Sequence, residues 1–402
     1  MKILIIAHFT QTPNENGNNR FNYLANLLGK SEENRVELIT SSFSHKYKKQ
    51  RKMNDEPIDK LNYKLTTIYE PGYKKNVSLK RFYSHHKMGK NLKKYLNNLN
   101  YKPDVIYCAV PSLDVAKAVA KFAEKNNIRF IIDVQDLWPE AFKMVFNIPI
   151  VSSLIFSPME RQANYIYSNA NDIVAVSDTY ANRASKVNSK FKNKLSIYLG
   201  TNLDFFDECK IKNKVDFNDD IVRITYIGTL GHSYDIKCII DAITILNKKG
   251  MKNIKFLVMG DGPLRQEFEN HAKQNGIDSE FTGRLPYEEM VGRLCSCDIA
   301  VNPISHNAAQ SIINKVGDYA AAGLPVISTQ ECKEYRDLVD NYKIGFNCEN
   351  GNSQDIADKL EKLIFNKDLR NEMGKNNRRL AEERFDRRVT YKEIVDLVEK
   401  NG

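Results

Sequence analysis

At 402 residues the chain is too long for one ordinary core and suits two domains of about 200 residues each. A composition of 42% hydrophobic and 27% charged residues is globular and excludes disorder over long stretches. The net charge of +10 is localised: residues 41–103 contain 16 Lys or Arg against 4 Asp or Glu, and the rest of the chain is slightly acidic.

The first element is an apolar run, Lys2–Ala7 (KILIIA), which reads as a strand buried on both faces. The opening MKILIIAHF is too short in its apolar part to be a secretion signal, and no run approaches the ~18 apolar residues of a membrane span. Arg20–Leu28 has helical spacing, with Phe21, Leu24, Ala25, Leu27 and Leu28 on one side. Strands are predicted at Arg35–Thr40, Asp104–Ala109, Arg129–Val134, Asp172–Val176 and Leu195–Leu199, with an Ala-rich helix at Leu113–Lys125.

Residues 205–220 are polar with little periodicity and read as an interdomain connection. The alternation then restarts. Strands are predicted at Val222–Ile227, Lys255–Met259, Glu280–Thr282, Ile299–Asn302 and Pro325–Ser328. Helices are predicted at Ile236–Lys248, Leu264–Asn275, Tyr287–Ser296, Lys315–Ala322, Ile356–Asn366 and Leu369–Glu383. Alternation of this kind predicts two parallel sheets covered by helices. Ligands bind beyond the carboxyl ends of such strands, so two facing domains would share one cleft.

The seven cysteines are odd in number and show no CxxC spacing; Cys295 and Cys297 form only a CxC. That argues against a zinc site and for reduced, buried thiols in a cytosol.

Three segments in the second half carry chemistry. Tyr226-Ile227-Gly228-Thr229-Leu230-Gly231 follows a strand, and its glycines permit a sharp turn close to a ligand. Met259-Gly260-Asp261-Gly262-Pro263-Leu264 opens a helix whose free amides would attract phosphate, although a tight turn without a ligand accounts for it equally well. Between Ile313 and Ile327 a helix opens near Lys315 and closes at Gly323, a left-handed cap, with Pro325 preventing continuation. Lys315 and Asp318 are three apart and share a helical face. A cation there suits phosphate and a carboxylate suits ribose hydroxyls; a solvated helix start with a surface ion pair is the plainer alternative.

The run Lys315–Ile327, with GDGPLRQEF and FTGRLPYEEM upstream, resembles the carboxyl domain of family 4 glycosyltransferases of the GT-B fold, in the branch that builds capsule and O-antigen repeat units. The resemblance implies an α/β chain of two Rossmann-like domains facing each other across a cleft. Residues 1–204 would bind acceptor, 205–380 would bind nucleotide-sugar, and 381–402 would form a helix returning toward the first domain. It further implies a retaining enzyme without metal or other cofactor, with a nucleotide-sugar, by family habit a UDP-sugar, as donor.

Carried over position by position, the resemblance puts Asp318 at the ribose hydroxyls and Lys315 at the diphosphate. Gly228, Thr229 and Gly231 stand beneath the diphosphate, and Gly260 and Gly262 at the nucleotide turn. Arg284 and Leu285 stand at the base, and Gln310, Ser311 and Ile312 at the donor sugar and β-phosphate. Two departures stand out. The family's paired glutamates appear as Gln310 and Asp318, and its usual arginine is Thr229, so Lys237, Arg265 or Lys315 must supply the positive charge. Asp136, Lys315 and Gln310 are the catalytic candidates.

In the first half a polar loop, Thr10–Asn19, holds Asn16 and Gly17 where the family has a glycine pair touching donor phosphate and acceptor; a surface loop is the alternative. Asp133-Val134-Gln135-Asp136-Leu137-Trp138-Pro139-Glu140 resembles the D-x-x-D-L-W-P signature of the same branch. Gln135, Asp136 and Trp138 are expected to bind acceptor, the indole as a wall against sugar C–H groups. Helix capping by the two acids is the alternative. Ser177, Asn202 and Asp204 match family positions but read as structural.

The basic segment mixes Lys with Tyr and Phe (KYKKQRK, GYKKNVSLKRFYSHHK, KNLKKYL), which suits an anionic lipid surface. A lipid-linked saccharide acceptor and a peripheral position on the cytoplasmic membrane face follow as expectations. No nucleic-acid motif accompanies the charge, and a solvated face is the plainer reading. Rival functions are a nucleotide-sugar epimerase of the same architecture and a binding protein without catalysis. A dehydrogenase is disfavoured because no complete GxGxxG follows the first strand.

Overall fold

The computed structural model describes the chain except residues 16–19, 52–60, 77, 146–148, 216, 218, 307, 309–311 and 401–402. It divides into two compact units, Met1–Leu199 with Tyr391–Gly402, and Gly200–Thr390.

The first unit runs β1 (Lys2–Ile6), α1 (Arg20–Leu28), β2 (Arg35–Ser41), β3 (Phe43–Ser44), β4 (Lys49–Gln50), β5 (Lys64–Ile68), α2 (Leu79–Asn97), β6 (Val105–Val110), α3 (Leu113–Asn126), β7 (Arg129–Val134), α4 (Glu140–Val145), α5 (Pro149–Ser168), β8 (Asp172–Ala175), α6 (Asp178–Ser185) and β9 (Asn193–Ser196). Its seven-stranded sheet has the order β5-β2-β1-β6-β7-β8-β9, every pairing parallel, and β3 and β4 form a small antiparallel hairpin. One face of the sheet is covered by α2, α3 and α5 through residues such as Met88, Leu92, Val119 and Ile166. The other is covered by α1 and by Tyr391, Ile394 and Leu397 near the chain's end. Burial on both faces explains why β1 and β6 are apolar throughout rather than alternating.

The second unit runs α7 (Leu203–Asn213), β10 (Val222–Ile227), α8 (Ile236–Lys248), β11 (Ile254–Met259), α9 (Arg265–Gln274), β12 (Ser279–Gly283), α10 (Tyr287–Leu294), β13 (Ile299–Asn302), α11 (Lys315–Ala322), β14 (Val326–Ser328), α12 (Lys333–Tyr342), β15 (Gly345–Asn347), α13 (Ser353–Phe365) and α14 (Lys367–Leu380). A π-helical turn, Ala381–Phe385, leads to α15 (Arg387–Glu399). The sheet order is β12-β11-β10-β13-β14-β15, again all parallel.

Several expectations are corrected. Residues 205–220 are not a bare connection, because α7 occupies their first half. Asn202 caps that helix by accepting from Phe205 N, and Leu203, Phe206 and Cys209 are buried at three-residue spacing. The basic stretch 41–103 contains β5 and the 19-residue α2, whose buried side includes His85, Met88, Leu92 and Leu96. Five lysines and Arg81 among its other positions hide that short apolar stripe in a composition count. The last strand of the first sheet is Asn193–Ser196, ahead of the predicted Leu195–Leu199. The predicted left-handed cap at Gly323 is present, at φ 69°.

Candidate functional site

In the second unit the glycine loop after β10 packs directly on the turn after β11. Gly228 has φ 135°, a conformation that favours glycine, and its N–H donates to Met259 O at 3.0 Å. A Cβ on Gly260 would lie 1.7 Å from Gly228 O, and one on Gly262 2.2 Å from Leu230 O. These two glycines therefore serve the contact of backbone with backbone. The amides at the start of α9 are also engaged: Leu264 N donates to Leu230 O and Arg265 N to Gly262 O. Two of the amides expected to meet phosphate are thus taken by backbone carbonyls.

Of the three cations expected to replace the family's arginine, two are held by the protein. Lys237 pairs with Glu267. Arg265 bonds Glu269 at 2.7 Å and Phe281 O at 2.8 Å. The third, Lys315, is buried at the start of α11, and its Nζ has no hydrogen-bond partner among the described residues. That Nζ lies 3.9 Å from the ring centroids of both Tyr226 and Tyr234, and 3.3 Å from where a Cβ on Gly228 would stand. Burial pushes its amine well below the usual lysine range. An anion at the loop would reverse that shift by favouring the charged form.

Asp318, one turn on, is half-buried in different surroundings. Its carboxylate accepts from Tyr287 Oη at 2.9 Å and from Thr201 Oγ1 at 3.5 Å. Burial raises its pKa to about 6, against the opposing effect of those hydroxyls and of Arg387. Lys315 is thus internal and Asp318 half-buried; they face separate sets of partners and form no ion pair with each other. Thr229 and Arg284 are exposed, Gly231 and Leu285 half-buried, and Ile312 buried. Gln310 and Ser311 lie outside the described residues, as do Asn16 and Gly17 in the first unit.

In the first unit Asp133 closes a buried network at the end of β7. It accepts from Arg20 Nε at 2.8 Å, Tyr107 Oη at 2.7 Å and Gln135 Nε2 at 2.5 Å. Gln135 therefore turns its amide inward to Asp133. Asp136 accepts from Leu137 N at 2.9 Å and from the Trp138 indole at 3.0 Å. Burial raises the Asp136 pKa, with Trp138, Leu137 and Tyr180 acting to lower it.

Trp138 does not form an open wall. It is 6% exposed, with the His85 ring stacked at 5.9 Å, Phe142 edge-on at 4.9 Å and the Arg81 guanidinium 4.9 Å from its centroid. The indole is enclosed because the turn after β7 meets side chains brought there by α2 and α4. Ser177 caps α6 by accepting from Tyr180 N, a structural role.

Sequence reading missed the polar cluster beside Trp138. His8, just after β1, contacts Ser112 Oγ through Nδ1 and Glu70 Oε2 through Nε2, both at 2.7 Å. Glu70 also accepts from Ser41 and Ser84 at 2.6 Å. The only signal was a histidine directly after an apolar strand; the partners come from distant elements.

The surface of α2 is mixed. Leu79 (87% exposed), Phe82 and Tyr83 stand outward with Lys80, Lys90, Lys93 and Lys94. Phe82 meets Phe142 at 5.9 Å, and Phe142 meets Phe156 of α5 at 6.0 Å, next to the exposed Leu154 and Ile155. Not every basic residue is outside: Arg51 reaches inward to Ser41 O and Thr10 O. Among the described residues no helix is long and apolar enough to cross a membrane.

Residues 207–380 match the family described as "Glycosyl transferases group 1". The fold is GT-B, with two Rossmann-like domains. The matched stretch holds the Gly228 loop, the Gly260 turn, Lys315 and Asp318. An uncharacterized glycosyltransferase of Methanocaldococcus jannaschii is 25% identical over 59% of this chain and 60% of its own length. The capsular polysaccharide biosynthesis glycosyltransferase CapM of Staphylococcus aureus is 26% identical over 74% of this chain and 76% of its own. The chain thus spans less than two thirds of the archaeal relative. Among solved structures, Anabaena HepE in complex with UDP superposes with a TM-score of 0.68 at 14% identity, covering 99% of each chain.

Proposed function

We propose that the protein is a retaining transferase that moves a hexosyl or N-acetylhexosaminyl unit from a UDP-sugar to a lipid-linked saccharide in capsule or O-antigen synthesis. The observation that carries this reading is Lys315: a buried amine with no hydrogen-bond partner among the described residues, beside the Gly228 loop of the stretch that matches the glycosyl transferases group 1 family. As the bond to the donor sugar breaks, the departing diphosphate gains negative charge. A preorganised cation in a dry setting stabilises that charge more than it stabilises the bound donor, which lowers the barrier. In this reading Lys315 supplies the charge and no metal is required.

Asp318 receives a ribose hydroxyl in exchange for one of its present donors. Gly228, Thr229, Gly231, Arg284, Leu285, Ser311 and Ile312 contact the donor, and Gln310 lies near the sugar. Asp136, held by Trp138 and Leu137, contacts the acceptor hydroxyl. The UDP bound to HepE supports the choice of nucleotide, and the name of CapM supports the pathway class.

The lipid-linked acceptor and a peripheral position on the cytoplasmic membrane face are supported by α2. Its outward residues combine apolar side chains with lysines, each cation being worth about 1 kcal/mol near an anionic leaflet.

The deciding experiment is calorimetric titration of UDP and UDP-sugars into wild type and Lys315→Ala, with turnover on a polyprenyl-diphosphate saccharide followed by NMR. Binding that weakens in the variant, and a product whose anomeric configuration matches the donor, are expected. Equal donor affinity in both proteins would remove Lys315 from the mechanism, and an inverted product would remove retention.

A further inference from the structure

Outside the donor residues, the described part of the molecule holds one cluster with metal-ligand chemistry. His8, Glu70 and His85 each offer a ligand atom, all within 4.8 Å of one another, and all three residues are buried. They converge from separate elements: His8 from the end of β1, Glu70 from the end of β5, and His85 from the second turn of α2. The two imidazole rings stand edge to face with centroids 4.9 Å apart.

The Nε2 atom of His85, in a residue 2% exposed, is buried and has no hydrogen-bond partner among the described residues. A polar nitrogen left in that state has given up its hydration with nothing in exchange. Nothing in the packing of α2 demands a histidine there, since its other face is an aromatic contact with Trp138 that an apolar ring would make as well. The remaining positions are already arranged as ligand supports: Ser112 orients the His8 ring through Nδ1, and Ser41 and Ser84 hold the Glu70 carboxylate. The cations bordering the cluster have contacts of their own, although the Arg81 Nε is buried without a partner among the described residues. Arg81 bonds Asn76 O and lies over Trp138, while Lys48 bonds His45 O and lies over Tyr73.

We propose that His8, Glu70 and His85 form a binding site for a divalent transition-metal ion of the zinc or cobalt class, at the carboxyl edge of the first sheet. Two imidazoles and one carboxylate are a borderline donor set, suited to those ions rather than to magnesium or calcium. Three protein ligands leave a coordination position open for an oxygen of water or substrate. This site belongs to the first unit and does not depend on the transfer reading, whose charge stabilisation rests on Lys315.

The test uses full-length protein treated with chelator, dialysed, and titrated with Co²⁺ while visible absorption and bound metal per chain are measured. One tightly held ion and a visible band of low-symmetry cobalt are expected in wild type and in His86→Ala, an exposed neighbour. Both signals are expected to disappear in His85→Asn. The His85→Asn variant loses the ring's contact with Trp138, so each protein is compared with its own chelator-treated form: added Zn²⁺ should raise the melting temperature of wild type and leave that of the variant unchanged. A wild type that binds no cobalt overturns the proposal, whatever the variant does. A His85→Asn protein that keeps the band and the stoichiometry overturns it as well.

Discussion

The Nζ of Lys315 lies 3.9 Å from the centre of the Tyr226 ring and makes no hydrogen bond to any described residue. Tyr226 in turn donates its hydroxyl to Thr229 O at 2.7 Å, so the ring that holds the lysine also shapes the loop beside it. The lysine is therefore kept in position by aromatic faces, which leave its three donors available to an anion.

Replacing Lys315 by Ala removes the charge and should lower kcat by about 100-fold, or ~3 kcal/mol, as expected for loss of a preorganised stabilising donor. Lys315→Arg should recover little, because the planar guanidinium is larger than the slot between two tyrosines. Steady-state kinetics on a UDP-sugar measures both. Turnover within a factor of two of wild type in the alanine variant would contradict the assigned role.

The glycines differ in what they tolerate. Gly260→Ala should destabilise the second unit by roughly 2–3 kcal/mol, since its Cβ would fall 1.7 Å from Gly228 O. Gly231→Ala meets only the Thr229 methyl at 3.8 Å and should melt close to wild type. Urea unfolding of both variants separates the two positions, and equal losses would mean that the loop contact is not what Gly260 provides.

Asp318 makes stability depend on pH in a defined direction. Its pKa in the folded protein is about 6, above the ordinary aspartate value of 3.8, so between those values the native state binds more protons than the unfolded chain. Its contribution is present below about pH 4 and is lost as pH rises toward 6 and beyond. Asp318→Asn should therefore gain stability over wild type at pH 8, by an amount on the order of 2 kcal/mol, and show little gain at pH 4. Denaturant titrations at the two pH values test this; a gain that is larger at pH 4 has the wrong sign.

The surface of α2 should bind membranes through both kinds of side chain. Leu79→Glu with Phe82→Glu removes two outward apolar groups and should weaken binding to vesicles rich in anionic lipid by on the order of 100-fold. Lys90→Ala with Lys93→Ala should weaken it by a smaller factor that shrinks further as salt is added. Vesicle flotation distinguishes them, and a double glutamate variant that floats like wild type would dismiss this face.

Much of the alternation was legible because it depends on neighbours in the chain. The strands Arg129–Val134 and Val222–Ile227 and the helices Arg20–Leu28 and Lys315–Ala322 coincide with their predicted limits. Apolar runs bounded by polar turns, or apolar residues at helical spacing, specify such elements locally. The helix α2 was harder to see because its buried stripe includes Ser84 and His85 among many lysines. The strand β15 is only three residues long, too short for periodicity to register.

By itself the sequence determined two alternating α/β halves, the left-handed cap at Gly323 and the candidate loop residues, since each rests on conformational preferences within a few residues. Only the tertiary structure decided where side chains point. It enclosed Trp138 between Arg81 and His85, directed Asp318 to Tyr287 and Thr201, left Lys315 between two tyrosines, and gathered His8, Glu70 and His85. Those meetings join strand ends and helices far apart in the chain. The parallel sheet brings them together, and spacing along the sequence carries no record of it.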